Sequence, residues 1–359
     1  MAAQAVSRRL ANPEAVGSYS VSASGNVCAG TGRASHYHRG MRFAKGHGTE
    51  NDFVLLPDFE DDLALTPALV TRLCDRRAGL GGDGVLRVVL AAAQSAGGSG
   101  NGGTAYGESG YGLGGPDEPP AEWFMDYRNA DGSIAEMCGN GIRVFARYLL
   151  DHGLVRDLAF TVGTRSGPRR VRAEPDGTIT AEMGVPAILG TGRAVIGGLE
   201  YAGLRISLGN PHLAVLVSTP VANFDLSATP LLDPAEFPQG ANVEVVRVTG
   251  RRQAEMRVYE RGSGPTRSCG TGAVAAAVAA AIASAGPGAG AGLSAGAGAG
   301  AGVVPAAVPE TASGTWTVEV PGGRLTVTLV GTASLLTGPA VIVAEGELDD
   351  GWLSGADGS

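Results

Sequence analysis

The pattern Cys-Gly-x-Gly occurs twice in this chain, and each copy stands at the start of an apolar segment with helical character. The first copy begins at Cys138 within MCGNGIRVFARYL, and the second begins at Cys269 within SCGTGAVAAAVAA. A repeat at so long a spacing is typical of two homologous folding units, because solenoid repeats recur every 20–50 residues or so. The duplication therefore predicts two similar halves.

The length and composition of the chain support this division. The chain has 359 residues, whereas single hydrophobic cores stop growing at about 250–300 residues. Hydrophobic residues make up 44% and charged residues 17% of the chain, enough for a packed core. We expect one half at residues 41–183 and the other at 184–337, with a strand in 338–349 that returns to the first half.

Four segments are predicted to lie outside these folding units. Residues 1–40 show no sustained periodicity and are expected to form a disordered N-terminal extension. Residues 97–115 and 286–302 are dominated by glycine, so they cannot bury enough apolar surface to offset chain entropy. We interpret both as flexible insertions, and residues 350–359 as a tail.

The local patterns predict many short strands and one buried helix in each half. Apolar spacing predicts a helix over Ile142–His152, and the wholly apolar Ala273–Ala283 predicts a helix buried on every side. This indicates an α+β fold, with each half a sheet curled around its helix. Strands are predicted at Phe53–Pro57, Gly84–Leu90, Leu204–Leu208, Leu213–Ser218, Val243–Thr249, Ala254–Tyr259, Trp316–Val320, Leu325–Leu329 and Ala340–Ala344.

Charge, hydropathy and lysine content exclude several classes of function. The net charge is −8 and no Lys/Arg stripe occurs, which argues against nucleic-acid binding. No apolar run reaches the ~18–20 residues of a membrane helix, and the first residues lack the apolar core of a signal peptide. Four cysteines without a targeting signal indicate a reducing cytoplasm. Lys45 is the only lysine and no phosphate-binding loop accompanies it, which argues against pyridoxal phosphate chemistry.

The duplicated pattern itself suggests a reaction. A cysteine just before a helix faces unpaired backbone N–H groups and the positive end of the helix dipole, which predicts a stabilised thiolate. The glycines leave those N–H groups free to hold a carboxylate. Two facing sulfurs can remove a proton from one side of a carbon and deliver a proton to the other side. Such a site inverts the carbon without a cofactor.

Five motifs in this order resemble the diaminopimelate epimerase family: KGHGTENDF at 45–53, RNADGSIAEMCGNGIR at 128–143, GNPHLAV at 209–215, Asn242 within ANVEVV, and YERGSGPTRSCGTGA at 259–273. The resemblance covers about residues 41–349 without the two insertions. It implies two pseudo-symmetric α/β barrels that close over the substrate, a homodimer and no cofactor. The implied reaction interconverts LL- and meso-2,6-diaminopimelate in lysine and peptidoglycan precursor synthesis.

The resemblance also assigns roles to individual residues. Cys138 and Cys269 match the paired acid and base. Arg261 is expected to hold the distal carboxylate by two hydrogen bonds, and Glu260 to lie near the reacting amine. His212 matches a histidine near the reacting centre, but after Pro211 it fits a structural turn residue equally well. The remaining matches to substrate-binding positions are Asn51, Asn129, Asn210, Asn242, Gly139 with Asn140, and Gly270 with Thr271.

Two positions depart from the family pattern. Gly84 stands where glutamine often contacts substrate, so this candidate site residue has no side chain for the contact. Glu50 stands where glycine is usual, and a positive φ there would be resisted by glutamate. Cys28 in the extension and Cys74 in a predicted helix are interpreted as non-catalytic.

Two alternative functions stay open on the sequence. Proline and hydroxyproline racemases share the paired cysteines, but they typically carry histidine in the first Cys-Gly-x-Gly and act on a single carboxylate. Asn140, the GNPH motif and the Glu260–Arg261 pair favour a substrate with two carboxylates. A non-catalytic redox sensor could use the cysteines as a disulfide switch, but it would not need the asparagine and arginine set.

Overall fold

Strands dominate this chain because its apolar runs are short, rich in β-branched residues and bounded by glycine, proline or aspartate. The computed structural model describes residues 40–96, 120–285 and 306–354. Both predicted insertions, almost all of the predicted extension and the last five residues of the tail lie outside these ranges. The described residues form an α+β fold that is dominated by strands, as predicted, and they belong to one compact unit of the chain.

The elements, numbered in chain order, are as follows. The helices are α1 Pro67–Cys74, α2 Ala91–Ala96, α3 Gly139–Asp151, α4 Gly270–Ser284 and α5 Asp350–Ser354, with 3₁₀ turns at Val221–Asn223 and Glu310–Ala312. The strands are β1 Arg42–Gly48, β2 Asn51–Pro57, β3 Gly84–Leu90, β4 Trp123–Asn129, β5 Ala159–Gly163, β6 Arg169–Ala173, β7 Ile179–Gly184, β8 Ala187–Ile196, β9 Leu199–Ser207, β10 Pro211–Leu216, β11 Leu231–Leu232, β12 Asn242–Gly250, β13 Gln253–Glu260, β14 Gly264–Thr266, β15 Ala306–Ala307, β16 Gly314–Val320, β17 Gly323–Val330, β18 Ala333–Gly338 and β19 Val341–Glu347.

Strands β1–β7 and β19 enclose α3, and we call this set the α3 half. Neighbouring strands pair antiparallel except for the parallel pairs β2–β3 and β4–β5. The last strand of the chain, β19, pairs antiparallel with the first, β1. Helix α3 turns Ile142, Phe145 and Leu149 into the core of this half, and its exposed end carries Asp151.

Strands β8–β18 enclose α4, and we call this set the α4 half. Its parallel pairs are β10–β12 and β13–β16. Helix α4 is buried from Gly270 to Ile282 on every side, because alanine and valine let strands approach it from all directions. A helix that is apolar all round has no face to turn toward water, as predicted for this segment.

The two halves meet through an antiparallel pair, β7 with β18, and through the starts of the two central helices. A Cβ atom at Gly270 would lie 2.8 Å from the Cα atom of Gly139. Glycine at these positions therefore lets the two helix starts touch backbone to backbone, and this brings Cys138 and Cys269 to one place. The division into two separate domains stays a prediction.

Candidate active site

A cavity of about 340 Å³ lies where the two helices begin, and residues from both halves line it. It is open to one side and its walls are mainly polar. Three predicted site residues, Asn140, His212 and Gly84, lie outside the lining. The lining contains both cysteines and the other predicted binding residues: Cys138, Cys269, Asn51, Asn129, Gly139, Asn210, Asn242, Glu260, Arg261, Gly270 and Thr271.

Each cysteine is the N-cap residue of its helix. Cys138 has φ −139° and ψ 120°, and Cys269 has φ −127° and ψ 123°, so both have extended backbones as N-cap residues do. The backbone N–H of Gly141 donates to Cys138 Sγ at 3.3 Å, and that of Gly272 donates to Cys269 Sγ at 3.4 Å. The two sulfurs therefore occupy equivalent positions, where serine, threonine or aspartate usually stands.

Burial controls the acidity of both thiols. It raises the pKa of Cys138 to about 12 and that of Cys269 well above its ordinary value, while the backbone N–H groups act in the opposite direction with a smaller effect. The backbone N–H groups at the helix starts thus act in the predicted direction, but removal of the charged form from water opposes the predicted thiolate more strongly. Each thiolate needs a nearby proton acceptor or a compensating cation.

Cys269 has a proton acceptor beside it. Glu260 lies close enough to Cys269 for each group to alter the pKa of the other, and burial raises the pKa of this half-buried carboxyl to about 7. Glu260 also accepts a hydrogen bond from the Thr266 hydroxyl. The Thr271 hydroxyl lies 3.5 Å from the Cys269 sulfur. At neutral pH the Glu260 carboxyl can therefore either accept or donate a proton.

Cys138 has an amide beside it instead of a carboxylate. Asn51 Oδ1 lies 3.8 Å from its sulfur, and Asn51 Nδ2 donates to Asp83 Oδ2 at 2.7 Å. Asp83 is held in turn by Arg76 at 2.7 Å. This chain of contacts determines which end of the Asn51 amide faces Cys138, so Asp83 and Arg76 orient a group that lines the cavity.

Asn140 lies directly behind the cavity and joins the two halves. It is fully buried, and its Nδ2 atom donates to Asn51 Oδ1 at 3.1 Å and to the Ser268 carbonyl at 3.1 Å. Ser268 directly precedes Cys269, and its hydroxyl lies 2.7 Å from the Thr49 hydroxyl. The Asn140 side chain thus links the surroundings of one cysteine to the backbone next to the other.

His212 is a buried residue of strand β10, so its interpretation as a turn residue is wrong. Its Nδ1 atom lies 2.7 Å from Glu244 Oε1, and its Nε2 atom lies 3.1 Å from Asn210 Oδ1. Asn210 Nδ2 points to the Thr271 hydroxyl at 3.3 Å. His212 therefore orients a cavity-lining asparagine, and its ring does not line the cavity itself.

The two departures from the family pattern have structural consequences. Gly84 begins β3, and a Cβ atom there would lie 2.5 Å from the Arg128 carbonyl oxygen, so this backbone leaves no room for a side chain. Thr49 and Glu50 form the two-residue turn between β1 and β2 with φ values of 51° and 59°. The expected positive φ at Glu50 is confirmed, and the Glu50 carboxylate is ion-paired with Arg267 of the α4 half.

Several cavity residues were not predicted from the sequence. Six of them lie on the loop between β4 and α3, within the motif that carries Asn129 and Cys138, so their position in that motif was an unused signal. The Asn129 amide donates to the Ser133 hydroxyl at 3.0 Å, and Ser133 Oγ donates to Asp131 at 2.6 Å. The other unpredicted lining residues are Tyr127, Ile134, Ala135, Glu136, Met137, Ser166, Leu208, Gly209, Gly262 and Ser263.

Two kinds of feature are absent from the described ranges. In residues 40–96, 120–285 and 306–354, no three His, Cys, Asp or Glu side chains are grouped as they would be around a metal ion. In the same ranges no helix combines the length and the apolar character that a membrane crossing requires.

Comparison with known proteins identifies close relatives of the whole described region. The family model described as diaminopimelate epimerase matches residues 43–189 and 204–288. Proteins named diaminopimelate epimerase are 54% identical in Thermobifida fusca (strain YX), over 86% of this chain and 98% of theirs, and 48% identical in Acidothermus cellulolyticus (strain ATCC 43068 / DSM 8971 / 11B), over 88% and 98%. The relative of that name from Mycobacterium bovis (strain BCG / Pasteur 1173P2) is 46% identical over 87% and 98%.

Solved structures share the fold at much lower identity. A phenazine biosynthesis protein of the PhzF family from Bacillus anthracis is 15% identical with a TM-score of 0.54, over 86% of this chain and 99% of that one. A probable proline racemase from Agrobacterium radiobacter K84 is 14% identical with a TM-score of 0.56, over 86% and 93%. These likenesses extend the fold to proteins whose sequences have diverged widely.

Proposed function

The chain belongs to the diaminopimelate epimerase family, and on that premise we propose that it interconverts LL- and meso-2,6-diaminopimelate by proton transfer through Cys138 and Cys269. The single observation that carries this proposal is the cavity in which the two cysteine N-caps meet. A carbon held between the two sulfurs can lose a proton on one face and gain one on the other. The protein is thus an isomerase of lysine biosynthesis.

The helix starts bind the reacting end of the substrate. Backbone N–H groups around Gly139 and Gly270 lie in the first turns of α3 and α4, where helices leave such groups unpaired. They hold the α-carboxylate and stabilise the negative charge that spreads onto it when the α-proton leaves. Because the donors are part of the backbone, they need little rearrangement during the reaction.

Amide and guanidinium groups select the rest of the substrate. Asparagine both donates and accepts, so Asn51, Asn129, Asn210 and Asn242 can bind ammonium and carboxylate groups alike. Arg261 lies at the exposed rim of the cavity, where its backbone N–H donates to Asn242 Oδ1 at 2.9 Å. Its guanidinium binds the distal carboxylate, which explains a preference for a substrate with two carboxylates.

The proton transfer balances without a cofactor. The thiolate of one cysteine takes the α-proton and becomes a thiol. The thiol of the other cysteine gives its proton to the opposite face of the same carbon and becomes a thiolate. When Cys269 serves as the base, the neighbouring Glu260 carboxylate accepts the proton of the thiol, and a Glu260 pKa of about 7 lets the carboxyl return that proton.

We also propose, on the family resemblance, that the enzyme is a cytoplasmic homodimer that acts in the synthesis of lysine and peptidoglycan precursors. Light scattering behind size-exclusion chromatography measures the oligomeric state directly. A mass of one chain at micromolar concentration contradicts the dimer.

The test of the activity is NMR in D₂O with purified protein. LL- and meso-diaminopimelate should each exchange the α-proton for deuterium and approach the same mixture of isomers, with no cofactor added. L-Proline is the matched control substrate, because it has an α-proton next to a single carboxylate, and we expect no exchange. Exchange of proline without exchange of diaminopimelate contradicts the proposed function.

A further inference from the structure

Arg143 is buried without a counter-ion. It lies on α3 with 0% of its surface exposed, and among the described residues it makes no ion pair. Arg87 is also buried, but it is paired with three carboxylates at 2.5–3.0 Å. A buried, unpaired charge is strongly unfavourable, so the position of Arg143 requires a reason.

The contacts of Arg143 offset only part of this cost. Its Nη1 atom donates to the Gly139 carbonyl at 3.0 Å and its Nη2 atom to the Thr49 hydroxyl at 3.3 Å, while its Nε atom has no partner. The side chain bonds back to the first turn of its helix, where the helix dipole is positive and disfavours a cation. Thr49, which holds the other end of the guanidinium, has a φ of 51° that is itself unfavourable for threonine.

Arg143 acts on the sulfur of Cys138, a group that becomes negative during the reaction. Arg143 donates to the carbonyl of Gly139, the residue that directly follows Cys138. The guanidinium lowers the pKa of Cys138, and the Cys138 sulfur acts back on Arg143. Burial lowers the pKa of Arg143 to about 10, which still leaves it charged at neutral pH. Arg143 does not line the cavity and therefore does not touch substrate.

The other charged or titratable groups around Cys138 do not supply this compensation. Glu260 on β13 opposes a negative charge on the sulfur, and Tyr127 on β4 is an acid whose own pKa is raised by burial. The matching position on α4, five residues after its cysteine, is Val274. Cys269 faces carboxylates, Glu260 and Glu244, which raise its pKa. Among the residues that the structure describes, a compensating cation is therefore present beside Cys138 and not beside Cys269.

We propose that Arg143 is a positioning residue for the reaction, a buried cation that stabilises the thiolate of Cys138 when this cysteine removes the α-proton. The inference rests on the proposed two-thiol mechanism. Arg143 forms and breaks no bond and keeps its own protons. The α-proton moves from carbon to Cys138, and Arg143 lowers the cost of the thiolate that is present before that transfer.

The test compares the charged variant Arg143→Lys with the neutral variant Arg143→Gln, which can still donate to the Gly139 carbonyl. Iodoacetamide alkylates the thiolate, and mass spectrometry reads the rates at Cys138 and Cys269 in the same sample. Loss of the cation should raise the Cys138 pKa by about one unit, which means roughly tenfold slower alkylation of Cys138 relative to Cys269. The Lys variant should stay near the wild-type rate, and Arg147→Gln, on the exposed side of the same helix, is the matched control.

The pH profile of kcat/KM gives a second readout that a purely structural role would not move. In Arg143→Gln the acid limb should shift upward by about one pH unit, and Arg143→Lys should restore it. An unchanged Cys138-to-Cys269 ratio in a folded Arg143→Gln protein overturns the proposal. Equal slowing at both cysteines overturns it as well, because it shows a general structural effect.

A further pair of variants keeps the proposal testable if Arg143→Gln does not fold. Cys138→Asp and Cys269→Asp each place a fixed negative charge at an N-cap, where aspartate is favourable. With Arg143 in place, the melting temperature of Cys138→Asp should exceed that of Cys269→Asp by several degrees. An equal or reversed order overturns the proposal. The alkylation ratio and the melting temperatures need no turnover, so failure of the wild type to epimerise diaminopimelate refutes the proposed function separately.

Discussion

The starts of α3 and α4 are alike in backbone and different in charge. Both place a cysteine at the N-cap, a backbone N–H on its sulfur and glycines that let the two helices touch. Around Cys269 the charged neighbours are carboxylates, and Glu260 can accept its proton. Around Cys138 the buried Arg143 supplies a cation. The two copies of the duplicated scaffold thus share their hydrogen bonds but favour a thiolate in different ways. One has a proton acceptor beside the thiol, and the other has a buried positive charge.

The largest expected effect tests what the two helix starts have in common. Cys138→Ala and Cys269→Ala should each reduce epimerisation by about 10³-fold or more, because inversion needs a proton-transferring group on both faces. Rates of isomer interconversion by NMR measure the effect. Cys74→Ala, a buried cysteine of α1 far from the helix starts in sequence, is the control and should stay within about twofold of wild type. Near-normal turnover in either site variant contradicts the two-thiol mechanism.

The second effect is confined to the α4 side. Glu260→Gln removes the proton acceptor next to Cys269 and should lower kcat/KM by about 10²-fold, while the alkylation rate of Cys138 should change much less than that of Cys269. Glu319→Gln, a carboxylate on β16 that pairs with Arg324 outside the cavity lining, is the matched control. Equal effects on both thiols would show that the two sides share one acceptor.

The same residue makes stability depend on pH. The folded-state pKa of Glu260 is about 7, above its ordinary 4.5, so its contribution favours folding fully below pH 4.5 and is lost as the pH rises through 7. The loss is at most about 3 kcal/mol. We expect the free energy of unfolding of the wild type to fall relative to that of Glu260→Gln as the pH rises from 4.5 to 8, and chemical denaturation measures both. Parallel curves would mean that Glu260 is not buried in its neutral form.

The contact between the helix starts should be asymmetric as well. In Gly270→Ala the new methyl group meets the backbone of Gly139 at 2.8 Å, whereas in Gly139→Ala it meets the flexible end of Met183 at 2.5 Å. We therefore expect Gly270→Ala to lose about 2 kcal/mol of unfolding free energy and Gly139→Ala about 1 kcal/mol or less. Urea titration measures both. The reverse order would show that the Gly139 backbone moves aside for a new methyl group more easily than the Met183 side chain does.

The smallest effect concerns the tip of the β1–β2 turn. Glu50→Gly relieves the cost of a positive φ but removes an ion pair with Arg267 that is about half exposed. Exposed pairs contribute about 0–1 kcal/mol, and the strain of a left-handed residue is about 1–2 kcal/mol. The net change should stay within about 1 kcal/mol. A loss of more than about 2 kcal/mol of unfolding free energy would show that this ion pair stabilises the contact between the halves. Arg267→Ala would then show the same loss.

Local signals in the sequence predicted much of the fold, and the family resemblance named eleven of the 23 residues that line the cavity. Each of the nine predicted strands overlaps an observed strand, and both predicted helices lie within α3 and α4 apart from one residue. Strands such as β6, Arg169–Ala173, were missed because their alternate residues are arginines rather than a continuous apolar run. Strand β19 was predicted as a strand, but its antiparallel register with β1 depends on residues three hundred positions away in the chain and has no local signal.

The sequence by itself determined where helices begin, which sulfurs cap them and which polar residues accompany them, because these features depend on neighbours within a few residues. The acidity of the thiols was decided only by the tertiary structure. Burial outweighs the backbone N–H groups that donate to Cys138 and Cys269, and that burial is the sum of packing from both halves. Likewise, Arg143 belongs to a motif that the sequence displays, but its lack of a counter-ion becomes visible only once the chain encloses it, since desolvation and charge pairing depend on every group that surrounds a site.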